Sequence, residues 1–75
     1  MITLDKIYIK LSEAIKQSGM TQTEIANKLN VKPTQISSYK YGRKMPALDT
    51  FAKLCAVLDL DANDILCISE YEAIN

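Results

Sequence analysis

Apolar residues recur along this chain at intervals of three and four, the spacing that gathers side chains on one face of an α-helix. Leu4, Ile7, Tyr8, Leu11, Ala14 and Ile15 form the first such stripe, and Gly19 supplies a natural stop. Thr21-Gln22-Thr23-Glu24 then fits a capping box, in which the Thr21 hydroxyl accepts from the Glu24 amide and the Glu24 carboxylate reaches back to Thr21. Met20 and Ile25 are spaced for a hydrophobic staple across it. A second helix is predicted from about Gln22 to Leu29, burying Ile25, Ala26 and Leu29 and ending at Asn30, a residue that tolerates the left-handed conformation of a tight turn. Pro33 suits the first position of a third, short helix, with Ile36 and Tyr39 inward and an end near Gly42. Leu48, Phe51, Leu54, Cys55 and Leu58 define a fourth, with Asp49 at the favourable end of its dipole. Asp61 caps a fifth carrying Ile65, Leu66 and Ile68. The expectation is an all-α, compact five-helix domain.

Length agrees with one domain. A chain of 75 residues buries only about 60% of its unfolded surface and has none to spare for a second core. Residues 1–75 are read as a single unit with its core at about 4–68, and 69–75 as a tail or an extension of the last helix. No apolar run approaches the ~20 residues that span a bilayer. The start lacks the basic and apolar regions of a secretory signal, so a cytoplasmic setting is expected, without membrane contact. Cys55 and Cys67 fall on helical segments and read as small buried hydrophobes. Histidine is absent and no glycine-rich phosphate loop occurs, so catalysis, a resident cofactor and a small-molecule substrate are not expected. The run Asp59 to Glu70 has oxygen ligands at many of the spacings of a calcium loop, but Asp64 stands where that loop requires glycine.

Net charge is zero, yet the charges are sorted by segment. Between Glu24 and Asp49 lie Lys28, Lys32, Lys40, Arg43 and Lys44 and no acidic residue. From Asp49 onward Asp49, Asp59, Asp61, Asp64, Glu70 and Glu72 face only Lys53. A basic stretch therefore coincides with the third helix. Two short helices joined by a tight turn need small apolar residues at their crossing, which Ala26 provides. The opposite face of helix three then carries Thr34, Ser37, Ser38 and Tyr41, short or flat polar groups able to approach base edges and phosphates closely.

The segments Gln22-Thr23-Glu24-Ile25-Ala26-Asn27-Lys28-Leu29-Asn30-Val31 and Gln35-Ile36-Ser37-Ser38-Tyr39-Lys40-Tyr41-Gly42-Arg43-Lys44 resemble the phage repressor and Cro helix-turn-helix family. The likeness extends from about Leu4 to Ile68. It implies a lambda-repressor-like domain whose third helix reads double-stranded DNA, often as a dimer on an inverted repeat. Residue by residue, it places base-reading roles on Lys32, Pro33, Thr34, Ser37 and Ser38. It places phosphate-binding roles on Gln22, Tyr41, Arg43 and Lys44, and Lys28 joins them as a further cation of the basic stretch. Gln22 also has a physical reason, since free amides and the dipole at a helix start attract an anion. Asn30 departs from a common glycine. Lys32 replaces a usual Ser or Thr cap, which forgoes about 1 kcal/mol and sets a cation at the unfavourable end of the dipole. Such a local violation is expected where function overrides stability.

The resulting expectation is a transcriptional regulator, a repressor, and not an enzyme. An antitoxin-like or adaptor module that binds protein through the acidic half is the alternative. Ile65, Ile68 and Tyr71 continue the apolar spacing, and either a strip for a homodimer contact or a frayed tail accounts for them.

Overall fold

The structure, a computed structural model, describes residues 2–68. Its elements are α1 (Leu4–Gln17), α2 (Gln22–Leu29), α3 (Pro33–Lys40), α4 (Leu48–Leu58) and α5 (Ala62–Ile65), with no strand among the described residues. Helix α2 packs on α3 and α4, while α1 packs on α3 and α5. Leu11 and Ile15 of α1, Ile25, Ala26 and Leu29 of α2, Ile36 and Tyr39 of α3, Phe51 and Leu54 of α4 and Ile65 form one core. Among the described residues no helix is long and apolar enough to cross a membrane.

Several helix ends have a local cause. Thr3 caps α1 by accepting from the Lys6 amide at 3.2 Å. At the end of α2, Asn30 is left-handed at φ 56. This lets the Val31 amide reach the Ala26 carbonyl at 3.0 Å and the Asn30 amide reach Asn27 at 3.3 Å. That double return is a Schellman closure. Gly42, at φ 66, closes α3 the same way, with Arg43 donating to Ser38 at 2.8 Å and Gly42 to Tyr39 at 3.2 Å. The Ser12 hydroxyl of α1 donates to the Lys40 carbonyl, so the exit of α3 is tied to α1 as well. Asp59 turns left-handed after α4 at φ 54, and Asp61 accepts from the Asn63 amide at 3.0 Å to start α5.

The structure departs from the sequence reading in three places. Leu4 is 65% and Leu48 84% exposed. Both sit in the first turn of their helix, beyond the reach of the neighbouring elements. Fourteen residues make α1 about 21 Å long, against about 12 Å for the eight-residue partner α3. The stripe is continuous, but its far end overhangs. Helix α5 has only four residues and stops before Leu66 and Ile68, because Cys67 turns left-handed at φ 60. Ile65 is 4% exposed and belongs to this chain's own core, whereas Ile68 is 49% exposed. Tyr71 lies outside the described residues. Of the apolar strip read from the sequence, then, Ile65 is already covered within the chain. Cys67 is buried and Cys55 half-buried. Burial, assisted by the nearby Asp61 charge, pushes the Cys55 thiol above its ordinary range.

Candidate nucleic-acid interface

Helices α2 and α3 are joined by three residues, 30–32. Ala26 has no exposed surface, and a methyl group at the crossing is what lets two helices approach this closely. With Ile36 and Tyr39 turned inward, the 3.6-residue period leaves Pro33 and Thr34 exposed and Ser37 and Ser38 half-exposed on the other side of α3. All four groups are uncharged. The face offers short hydroxyls with no acidic side chain among them.

The two helices start differently, and open amides mark the start of α2. In α2 the capping box is complete: Glu24 donates its amide to the Thr21 hydroxyl at 3.1 Å, and the Glu24 carboxylate accepts from the Thr21 amide at 3.0 Å. That amide, together with the Thr21 hydroxyl, holds the Glu24 carboxyl below its usual range. The amides of Gln22 and Thr23 carry no protein partner among the described residues. Two free donors at a helix start are suited to an anion. In α3 the Lys32 side chain makes no cap. The Gln35 side chain instead accepts from the Lys32 amide at 3.3 Å, leaving the Lys32 ammonium free to project. Gln35 is exposed, and this half-cap is what a Gln three residues after the helix start makes available.

The hydroxyls are not equivalent. Ser38 donates to the Thr34 carbonyl at 3.1 Å, so its proton is committed to the helix and only its lone pairs face outward. Thr34 and Ser37 keep their donors. This distinction has no sequence signal, because either rotamer suits a serine on a helix.

At the far end of α3, Tyr41 is 52% exposed and collects three cations. Arg43 lies 5.4 Å from its ring centroid, Lys40 5.8 Å and Lys16 5.8 Å. Arg43 and Lys44 are exposed, and the left-handed Gly42 directs the chain back so that Arg43 returns over Tyr41. Lys28 stands exposed in the last turn of α2, about 9 Å along that helix from Gln22. The sequence reading assigned Tyr41, Arg43 and Lys44 to this region but gave no role to Lys16 or Lys40. Lys16 belongs to α1, and only the packing of α1 on α3 brings it to Tyr41.

Residues 11–65 match the helix-turn-helix family model. Antitoxin HipB of Escherichia coli strain K12 is 35% identical over 66 residues, covering 80% of this chain and 75% of the antitoxin. The HipB of Escherichia coli O6:H1 strain CFT073 is also 35% identical over 66 residues, covering 80% of this chain and 70% of the antitoxin. Multiprotein-bridging factor 1 of Candida albicans is 34% identical over 58 residues, or 72% of this chain, but the match spans only 38% of that factor's length. Among solved structures, the clp gene regulator ClgR of C. glutamicum superposes with a TM-score of 0.71 at 25% identity, covering 91% of this chain and 88% of ClgR. This chain's five helices thus have a lambda-repressor-like arrangement. Taken with the α2-turn-α3 geometry, these matches mean that the chain belongs to the helix-turn-helix family of DNA-binding transcriptional regulators.

Proposed function

We propose that this chain is a sequence-specific repressor that docks α3 in the major groove of duplex DNA. The observation that carries the reading is the distribution of charge on α3. An uncharged hydroxyl face, Thr34 with Ser37, lies between Lys32 at the start of the helix and Arg43 beyond its end. An α-helix with its side chains is about 10–12 Å across, which fits the ~12 Å width of the groove it would enter. Thr34, Ser37, Pro33 and Lys32 would face base edges, with Ser38 as an acceptor. Gln22, Lys28, Tyr41, Arg43 and Lys44 would hold phosphates, and the Lys32 ammonium would neutralise one more beside the bases it faces. Readout through single hydrogen bonds is weaker than the bidentate pairing of Arg or Gln, so phosphate contacts supply most of the affinity. Repression follows if the occupied site overlaps a promoter, and the resemblance to phage repressors favours that sign.

The test is a titration of a random duplex library, followed by the selected site, at several salt concentrations. With Lys28, Lys32, Arg43 and Lys44 each neutralising one phosphate, the log-log slope is expected near −4 per subunit. Absence of binding at low salt, or binding indifferent to salt, would remove the reading. A promoter fused to a reporter then reads the sign. Similarity to proteins named antitoxins favours a second reading, in which the acidic half also binds a protein. Co-purification of a stable partner that survives Lys32→Glu with Arg43→Glu supports it.

A further inference from the structure

Three cations from two helices and the loop after α3 converge on one exposed aromatic ring. Lys16 of α1, Lys40 at the end of α3 and Arg43 of the following loop stand 5.8, 5.8 and 5.4 Å from the Tyr41 centroid. Among the described residues none of the three is paired with a carboxylate; the ion pair seen there joins Lys10 to Asp64 at 3.2 Å. The negative face of an aromatic ring attracts each cation, but it does not neutralise three like charges gathered around it. The C-terminal dipole of α3 offsets a further fraction. What remains is a site of net positive potential with an exposed phenol hydroxyl, the donor set an oxyanion takes.

The surroundings set the direction in which such an anion lies. Lys16 and Tyr41 close one end of a shallow groove of about 730 Å³ between α1 and the exit of α3, also lined by Tyr8, Ile9 and Ser12. Two carboxylates, Glu13 and Asp5, line the same groove. Glu13 lies one turn before Lys16, and Asp5 about 16 Å back along the helix. The anion is therefore held at the Lys16–Tyr41 end and kept from running further along α1.

We infer that Lys16, with Lys40, Tyr41 and Arg43, forms a clamp for a backbone phosphodiester of duplex DNA, so that α1 joins the interface at the exit of α3. This rests on the DNA-binding reading above. It adds an element that the helix-turn-helix pair does not contain, and it explains why Lys16 is held over Tyr41. The phosphate gripped here lies at the opposite end of α3 from Lys32, so the two cations together would set the tilt of the helix in the groove.

The experiment compares wild-type protein with Lys16→Gln, Lys16→Arg and, as a distant control, Lys53→Gln of α4, on one selected duplex. Losing one phosphate contact makes the salt slope shallower by about 0.9. Relative to a 1 M reference, this corresponds to about eightfold weaker binding at 0.1 M salt. That result for Lys16→Gln, with restoration by Lys16→Arg and no change for Lys53→Gln, is the one expected. An unchanged slope in Lys16→Gln while wild type binds steeply overturns the clamp and leaves the DNA-binding reading standing. A fall in melting temperature with the slope unchanged also overturns it, since Lys16 would then serve only the dipoles of α1, in whose last turn it stands, and of α3. No duplex binding by wild type overturns the DNA-binding reading and the clamp with it.

Discussion

The inward and outward sides of α3 are separated by single residues, so two substitutions two positions apart should have opposite consequences. Ile36 has no exposed surface. Ile36→Ala removes three carbons, about 2.4 kcal/mol of transfer free energy at ~0.8 per group. A cavity term adds to this, so about 3 kcal/mol is a fair central value within the 2–5 range for such truncations. A chain of 75 residues has roughly 4–11 kcal/mol of total stability at 0.05–0.15 per residue. The variant should therefore fold in the cold and melt about 12–24 °C early. Thr34 is exposed, and only its backbone carbonyl is used internally, by Ser38. Thr34→Ala should shift stability by no more than about 0.5 kcal/mol while weakening DNA binding by about 3- to 10-fold, one hydrogen bond of roughly 0.5–1.5 kcal/mol. Circular-dichroism melting and fluorescence anisotropy, run below the Ile36→Ala transition, separate the two effects. If Thr34→Ala melts as early as Ile36→Ala, or if Ile36→Ala keeps the wild-type transition, the assigned orientation of α3 is refuted.

Two further outcomes test the starts of α2 and α3. Lys32→Thr supplies the missing cap of α3 and should raise stability by about 1 kcal/mol, or about 4–8 °C. It should also make the salt slope of DNA binding shallower by about 0.9, so gain in melting and loss in binding are expected together. Glu24 has its carboxyl held below the ordinary value of 4.5 by the Thr21 amide and hydroxyl. Its contribution to stability is therefore complete above that value and is lost as pH falls through the depressed one. Glu24→Gln should flatten this part of the acid transition, which a melting series across acidic pH reads directly.

Much of the fold was legible because its punctuation is local. The capping box at Thr21 and Glu24, the left-handed Asn30, Pro33 at the start of α3 and Gly42 after it each act within a few residues, so their effect can be read from neighbours in sequence. Leu4 and Leu48 were misplaced because periodicity defines a face but not how far along the helix another element covers it. The early end of α5 was hidden for a different reason. Its cap at Asp61 is a recognisable signal, whereas the left-handed Cys67 is a residue type that gives no warning of such a turn. Within the site, the outward set on α3 followed from the inward set, Ile36 and Tyr39. The committed hydroxyl of Ser38 and the approach of Lys16 to Tyr41 depend on rotamer choice and on the packing of α1, neither of which a linear pattern encodes.

The vanishing net charge acquires a physical role once the charges are placed. Lys32, Lys40, Arg43 and Lys44 lie on α3 and the loop after it, whereas Asp49, Asp59, Asp61 and Asp64 lie on α4, on α5 and between them. A uniformly basic domain of this size would adhere to any polyanion, since phosphate contacts require no particular orientation. In a neutral one whose charges are sorted by segment, a duplex attracts the basic segment and repels the acidic one, so approach with α3 foremost is favoured. Orientation is thereby selected before any base is touched. On the proposed function this would matter for a face of single hydroxyls, whose hydrogen bonds to bases would form only if α3 arrived already aligned with the groove.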